Sequence, residues 1–406
     1  MKRILFVDDE IMVLKGLRRM LSPLRAEWDM QFSDNAEDAL AIMAHTPVDV
    51  LVTDWHMPNT NGVCLLQEVA RKHGGTVRII LSGQSLGGQG DCMFHAHQVL
   101  YKPCDFATLQ AVIQGIGNTD ALLGNGLVKQ ETARLHALPP LPAVYQEVVR
   151  EMGKPVPALP RIAAIIRCDP AISSRILGIV NSISFGLRSR VSSLEHAIAM
   201  LGLNTVRSII VAMHCVSIHD AAPEPSFSLS MLWDHCIRTA GLVKTLASQS
   251  KKEKDASESC FIGGMLHDMG KIALAALFPK EYAHVIRSVQ QDALTVFEAE
   301  RLLFGTTHAD VGAYILGLWG MPESIVNLVA THHAPDRITT DRGAMIFTAN
   351  AMDHKRYIIH ADYTARDDTA ELEHHPRFAA HLASWTALSD TYYAEMTPDE
   401  EQGADR

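Results

Sequence analysis

The feature that most constrains this chain is a change of pattern near residue 140. Up to residue 117, short apolar runs alternate with helical periods; from about residue 141 strand signals vanish and only helix signals remain. Ile4-Leu5-Phe6-Val7, Met30-Gln31-Phe32, Val48-Asp49-Val50-Leu51-Val52, Val77-Arg78-Ile79-Ile80-Leu81 and Val99-Leu100-Tyr101 predict five strands, and Leu14, Leu17 and Leu21 predict a helix after the first. Such βα repetition implies a doubly wound parallel sheet. Between the two regimes, Leu138-Pro139-Pro140-Leu141-Pro142 fixes an extended entry into whatever follows. The expected architecture is therefore multidomain, α/β followed by all-α.

In a doubly wound sheet the working residues sit at the carboxyl ends of the strands, and here those ends carry Asp8-Asp9, Asp54, Ser82 and Lys102. Carboxylates converging on one edge repel unless a hard cation neutralises them, which by ligand type suggests Mg²⁺. A hydroxyl and an ammonium beside them suit a phosphoryl group. Any one acid at a strand end could be a solvated loop residue; positions on successive strand ends argue for a site.

Residues 1–117 resemble a response-regulator receiver domain through Val7-Asp8-Asp9-Glu10, Thr53-Asp54-Trp55-His56-Met57-Pro58-Asn59 with Gly62, Leu81-Ser82-Gly83 and Tyr101-Lys102-Pro103. The resemblance implies that Asp54 is the phosphoacceptor, that Asp8, Asp9 and Asp54 hold Mg²⁺, and that Ser82 and Lys102 contact the phosphoryl oxygens. It also implies a sensor histidine kinase as partner. The sequence departs from the family in two places. Val99 stands where receivers usually carry the aromatic switch residue. Gln84-Ser85-Leu86-Gly87-Gly88-Gln89-Gly90, where the fourth helix should begin, has three glycines, each costing roughly 1 kcal/mol of helix propensity. A short fourth helix that phosphorylation orders is the expectation, and homodimerisation through that face is open.

Past the linker (118–137) the helix signals are explicit. Asp169-Pro170 reads as an N-cap with Pro at the first position, Ser192-Ser193-Leu194-Glu195 as a capping box, Gly202 as a stop, and Asn204 as the start of another helix. Leu138–Pro142, Asp169-Pro170-Ala171, Val180-Asn181-Ser182, Phe185-Gly186 and Ala197–Gly202 resemble an HDOD domain over 138–333, extended here to an output domain of 138–350. HDOD domains are related to the HD and HD-GYP metal phosphohydrolases and are mostly signalling modules.

Trp233-Asp234-His235 is read as opening a helix, His267-Asp268 ends the apolar run Phe261–Leu266, His308 follows, and His332-His333 ends the next helix. Facing helices of a bundle can build a metal site from such residues. Mixed histidine and carboxylate ligands suit Fe, Mn or Zn better than Mg or Ca, with Lys271 available to neutralise a phosphate. With 20 histidines in the chain, any single one is more simply a hydrogen-bonded core or surface residue. His354, His360, His374, His375 and His381 show no pattern. His235, His267, Asp268, His308, His332 and His333 resemble the ligand positions of HD-GYP enzymes. Asn350 stands where those enzymes have a last aspartate, and Ala334-Pro335-Asp336-Arg337 replaces the Gly-Tyr-Pro loop.

Three functional readings follow: a phosphorylation-controlled module that acts by binding a downstream signalling protein, one candidate being a cyclic di-GMP enzyme; a metal-dependent phosphohydrolase; or a cyclic di-GMP phosphodiesterase. A net charge of −10 argues against nucleic acid as the default partner. Seven cysteines without CxxC spacing fit reduced thiols, and no uninterrupted apolar run of about 18 residues is evident, so a cytoplasmic location off the membrane is expected. Residues 351–406 are expected to hold one or two amphipathic helices around Phe378, Leu382, Trp385, Leu388 and Tyr392, ending in a disordered tail.

Overall fold

A computed structural model describes residues 1–57, 62–82, 96–102, 104, 106–120, 123, 143–154, 156–181, 191–220, 228–249, 257–292, 294–357 and 378–396. Contacts divide the chain into two compact units, Met1–Gln146 with Tyr314–Met321 and Glu147–Ala313 with Pro322–Arg406.

The N-terminal elements are β1 (Lys2–Val7), α1 (Ile11–Met20), β2 (Trp28–Ser33), α2 (Ala36–His45), β3 (Val50–Asp54), α3 (Gly62–Lys72), β4 (Val77–Ser82), β5 (Gln98–Tyr101) and α4 (Phe106–Asp120). The strands lie in the order β2-β1-β3-β4-β5, and every pairing is parallel. Every residue of β3 and β4 is buried, as expected for strands covered on both faces. The order reverses between β1 and β3, which places a crevice beyond their carboxyl ends, where Asp8 and Asp54 stand. The stretch Gln84–Gly90, the expected fourth helix, lies outside the described residues. The expected boundary at residue 117 falls inside α4.

Past residue 143 every described regular element is helical. These are α5 (Ala143–Met152), α6 (Leu159–Arg167), α7 (Pro170–Val180), α8 (Leu194–Leu201), α9 (Leu203–Asp220), α10 (Leu229–Ser248), α11 (Ser257–Leu266), α12 (Met269–Leu277), α13 (Pro279–Asp292), α14 (Val296–Phe304), α15 (His308–Leu318), α16 (Glu323–Thr331), α17 (Asp341–Arg356) and α18 (Ala379–Met396). Asp169 caps α7 by accepting from the Ile172 amide at 3.1 Å, and Gly202 ends α8 with φ of +81°.

Several sequence expectations are corrected. The N-cap of α8 is Ser193, which accepts from the His196 amide, so the third helical position is His196 and Glu195 cannot close the box from Ser192. The helix containing Trp233–His235 begins earlier, at Leu229, because Ser228 caps it by accepting from Met231. The boundary drawn at residue 350 falls inside α17, and α18 packs into the core through Trp385, Tyr392 and Tyr393. Ser257–Leu277 is long and apolar enough to cross a membrane by length and composition, although His267, Asp268 and Lys271 interrupt its apolar run. However, 89% of its most apolar window is buried inside this fold.

Candidate functional sites

At the sheet edge, β1, β3, β4 and β5 deliver Asp8, Asp54, Ser82 and Lys102 to one crevice. The Lys102 ammonium donates to Asp8 Oδ2 at 2.7 Å and to Asp54 Oδ1 at 2.6 Å. The remaining oxygens accept backbone amides, Asp8 Oδ1 from Glu10 at 3.0 Å and Asp54 Oδ2 from His56 at 2.9 Å. The Ser82 carbonyl accepts the Lys102 amide at 2.7 Å, which fixes the base of that lysine against β4. Burial holds the Asp8 pKa above its ordinary value despite the ammonium beside it. Burial works against the charge on Lys102, but the hydrogen bonds to Asp54 and Asp8 outweigh it and raise its pKa. Two carboxylates thus share one cation, and Asp9 adds a third acid at the partly exposed rim. This excess of negative charge at an oxygen-lined crevice suits a hard divalent ion. Gly62 is required beside Asp54, because a Cβ there would lie 2.0 Å from the Asp54 carbonyl oxygen.

The second site lies in the helical bundle and is almost wholly enclosed. His235, His267, Asp268, His308 and His332 have no exposed surface, and Lys271 only 2%. His235 comes from α10, His267-Asp268 from the break between α11 and α12, His308 from the first position of α15, and His332 from the end of α16. Close helix contact brings them together. A Cβ on Gly270 would fall 1.9 Å from the His308 carbonyl oxygen, and one on Gly264 2.7 Å from the Ala240 Cα. Gly312 faces Gly270 across the same contact.

Each of the four imidazoles is held by its Nδ1. Those of His267 and His332 donate to the carbonyls of Gly264 at 2.7 Å and Val329 at 2.6 Å. Those of His235 and His308 meet the carboxylates of Asp353 at 2.7 Å and Glu300 at 2.6 Å. With Nδ1 carrying the proton, each neutral ring presents a lone pair at Nε2. These lone pairs converge: His235 and His267 face each other at 3.0 Å, and His308 and His332 at 3.2 Å.

Asp268 divides the four rings. Its Oδ2 lies 3.5 Å from His235 Nε2 and 3.4 Å from His267 Nε2; its Oδ1 lies 3.2 Å from His308 Nε2 and 3.5 Å from His332 Nε2. The Lys271 ammonium donates to Oδ2 at 2.7 Å. Oδ1 has no hydrogen bond, and neither has the buried His333 Nε2. Facing lone pairs and an orphaned carboxylate oxygen are unfavourable with nothing positive between them, and a metal ion would satisfy all of them at once. Two sets have ligand atoms mutually within 4.8 Å, Asp268 with His308, His332 and His333, and Asp268 with His235 and His267. The donor chemistry therefore fits a metal.

The electrostatics agree. Burial would raise the Asp268 pKa, but the neighbouring His267 and Lys271 overcome it and hold that carboxyl well below its usual range. Burial drives His332 down to about 3, and drives His235 and His333 down as well, so these rings are neutral donors near pH 7. Burial also opposes charge on His308, but the Glu300 carboxylate prevails and raises its basicity.

All of the residues read from the sequence for this site come together. Sequence reasoning missed Glu300 and Asp353, which orient His308 and His235. Asp353 is itself clamped by Arg238 at 2.8 and 2.9 Å and by the Tyr393 hydroxyl at 2.8 Å. It lies one helical turn beyond Asn350, a spacing that could have found it; nothing links Glu300 to His308 before α14 and α15 are packed.

A family model described as the response regulator receiver domain matches residues 4–114, and one described as the HDOD domain matches 138–335. Over 200 residues the chain is 23% identical to an uncharacterized protein of Treponema pallidum, covering 49% of this chain and 38% of that one. Over 80 residues it is 36% identical to the hydrogenase transcriptional regulatory protein HoxA of Cupriavidus necator, covering 20% of this chain and 16% of that one. The chain thus spans well under half the length of either relative. Among solved structures, an HDOD domain protein of unknown function from Geobacter sulfurreducens is 20% identical with a TM-score of 0.48, covering 71% of this chain and 99% of that one. The signal receiver domain of an HD domain-containing protein from Pseudomonas fluorescens is 28% identical with a TM-score of 0.26, covering 28% and 91%. With a matched receiver domain at its N-terminus and a matched HDOD domain after it, the chain belongs to the two-component response regulators with an HDOD output domain.

Proposed function

We propose that Asp54 accepts a phosphoryl group from a sensor histidine kinase, that Asp8, Asp9 and Asp54 hold the Mg²⁺ receiver domains typically use, and that phosphorylation controls partner binding by a metal-holding HDOD module. In the receiver, Mg²⁺ supplies neutralising charge to the acids and the phosphoryl group. Lys102 already bridges Asp8 and Asp54, so it is placed to follow an incoming phosphoryl oxygen, with Ser82 on the neighbouring strand end. In the helical domain, His235, His267, Asp268, His308, His332 and His333 would hold Fe, Mn or Zn.

The observation that carries the output reading is the enclosure of four oriented imidazoles around Asp268. Ligand atoms without exposed surface favour a centre that shapes the bundle, and a partner would read that shape. The first test is metal analysis of full-length protein purified without chelators. Stoichiometric Fe, Mn or Zn in the wild type, lost in His267→Ala, is expected; a wild type that neither contains nor takes up metal would remove the basis of the reading.

A second reading, a phosphohydrolase, draws on Lys271 beside Asp268 and on the partial exposure of His333. Here the metal would supply a nucleophile and Lys271 would neutralise phosphate charge. Hydrolysis of bis(p-nitrophenyl) phosphate by the wild type and by Asp54→Ala, abolished in His267→Ala, would establish this reading over pure partner binding.

A further inference from the structure

Asp268 splits the enclosed cluster into unequal halves. On its Oδ1 side stand three imidazoles, His308, His332 and His333; on its Oδ2 side the compact set has only two, His235 and His267. One ring beside the poorer half has no role so far. His354 lies in the last turns of α17, directly after Asp353, and its ring centroid is 4.8 Å from that of His235 and 6.5 Å from that of His333. Its Nε2 is buried and makes no hydrogen bond. An unpaired ring nitrogen withdrawn from water costs of order 1–3 kcal/mol, whereas His235, His267, His308 and His332 each have a partner at Nδ1.

The same face of α17 carries a second such atom. Asn350, four residues earlier and one turn away, has a buried Oδ1 without a partner. Between these two, Asp353 ties α17 to His235 at 2.7 Å and to Arg238, and Tyr393 from α18 locks it from behind. The backbone that carries His354 is therefore anchored to the poorer half through Asp353.

We infer that His354 is a metal ligand, the third imidazole of the His235–His267–Asp268 half, so that the bundle would offer two cation sites, one on each side of Asp268, each with three histidines. This deepens the metal reading above and rests on it. Two three-imidazole, one-carboxylate donor sets with little negative charge suit Zn, Fe or Co(II), and disfavour Mg²⁺ and Ca²⁺, which need oxygen ligands. Asn350, as a neutral carbonyl, adds no charge to this set.

The test is a Co²⁺ titration of the full-length apo protein, followed by visible absorption and by competition with a chelator. The expected wild-type result is two equivalents per chain. His354→Phe fills the same space without a ligand atom; it should keep one equivalent at wild-type affinity and weaken the second at least tenfold, with a changed d–d spectrum for that equivalent alone. The retained equivalent shows that the variant is folded. His333→Phe should do the reverse, weakening the equivalent that His354→Phe leaves intact. If His354→Phe binds the same number of ions as the wild type, one or two, with unchanged affinity and spectrum, the assignment of His354 is overturned while the metal reading survives. If the wild type binds no Co²⁺, the metal reading itself fails, and His354 with it.

Discussion

The sheet-edge crevice and the helical cluster both gather carboxylates, and they stabilise them by opposite means. At the sheet edge Asp8 and Asp54 share the ammonium of Lys102, which is itself a quarter exposed, so that it can be displaced and exchanged with solvent. In the bundle a single carboxylate, Asp268, sits between the imidazoles of His235, His267, His308 and His332 with no exposed surface, and those rings are oriented in turn by Asp353, Glu300 and backbone carbonyls. The first arrangement suits a ligand that must come and go within a signalling cycle. The second suits one that stays.

The largest expected effect tests the independence of the two sites. Acetyl phosphate with Mg²⁺ should label the wild type, and Asp54→Asn should lose the label completely while its metal content in the helical domain stays unchanged; label retained on Asp54→Asn would show that another residue is the acceptor. Next, Asp353→Asn leaves Arg238 and His235 without a buried counter-charge and should cost about 3–5 kcal/mol in denaturant unfolding of the output domain. The sign of its pH dependence follows from the pKa of Asp353. Burial alone would raise it, but His235 and Arg238 hold it far below its ordinary value. The stabilisation is therefore complete above the unfolded carboxyl pKa of about 3.9 and disappears as pH falls toward the folded value. The wild type should lose stability steeply below about pH 4, and Asp353→Asn should lack that component.

A smaller effect sharpens the contrast in ligand type. Zn²⁺ at a hundred times its dissociation constant should stabilise the output domain by about 2.7 kcal/mol in thermal melts, and His267→Ala should abolish the gain. Mg²⁺ at the same concentration should leave that transition in place. The smallest is structural. Gly270→Ala forces α12 away from the His308 carbonyl and should cost about 1–3 kcal/mol. If it costs nothing, the helix contact is looser than the geometry indicates.

The receiver unit was largely legible from the sequence because its strands are short, apolar and bounded, and because each working residue ends its strand or directly follows it. The histidines of the output domain were legible one at a time but not as a set. His308 and Glu300 sit eight residues apart on different helices, and no helical or strand period joins such a pair. Asp353 and His354 are hidden for another reason: they lie one turn beyond Asn350 on the same helix, and no spacing in the sequence separates His354 from the unpatterned histidines of the C-terminal region. The helix starts at Ser193 and Ser228 show the remaining limit, since adjacent serines offer several caps and only packing selects one.

The contact between Gly270 and Gly312 has a consequence for selectivity. Asp268 begins α12 and His308 begins α15, and these helices touch backbone to backbone, so the separation of the two groups is fixed by main-chain atoms that no rotamer change can move. With a metal in the cluster, exchanging a histidine would alter how tightly the ion is held. Enlarging either glycine would instead alter the aperture, and with it the ionic radius such a centre would accept, so Gly270 and Gly312 would act as its gauge.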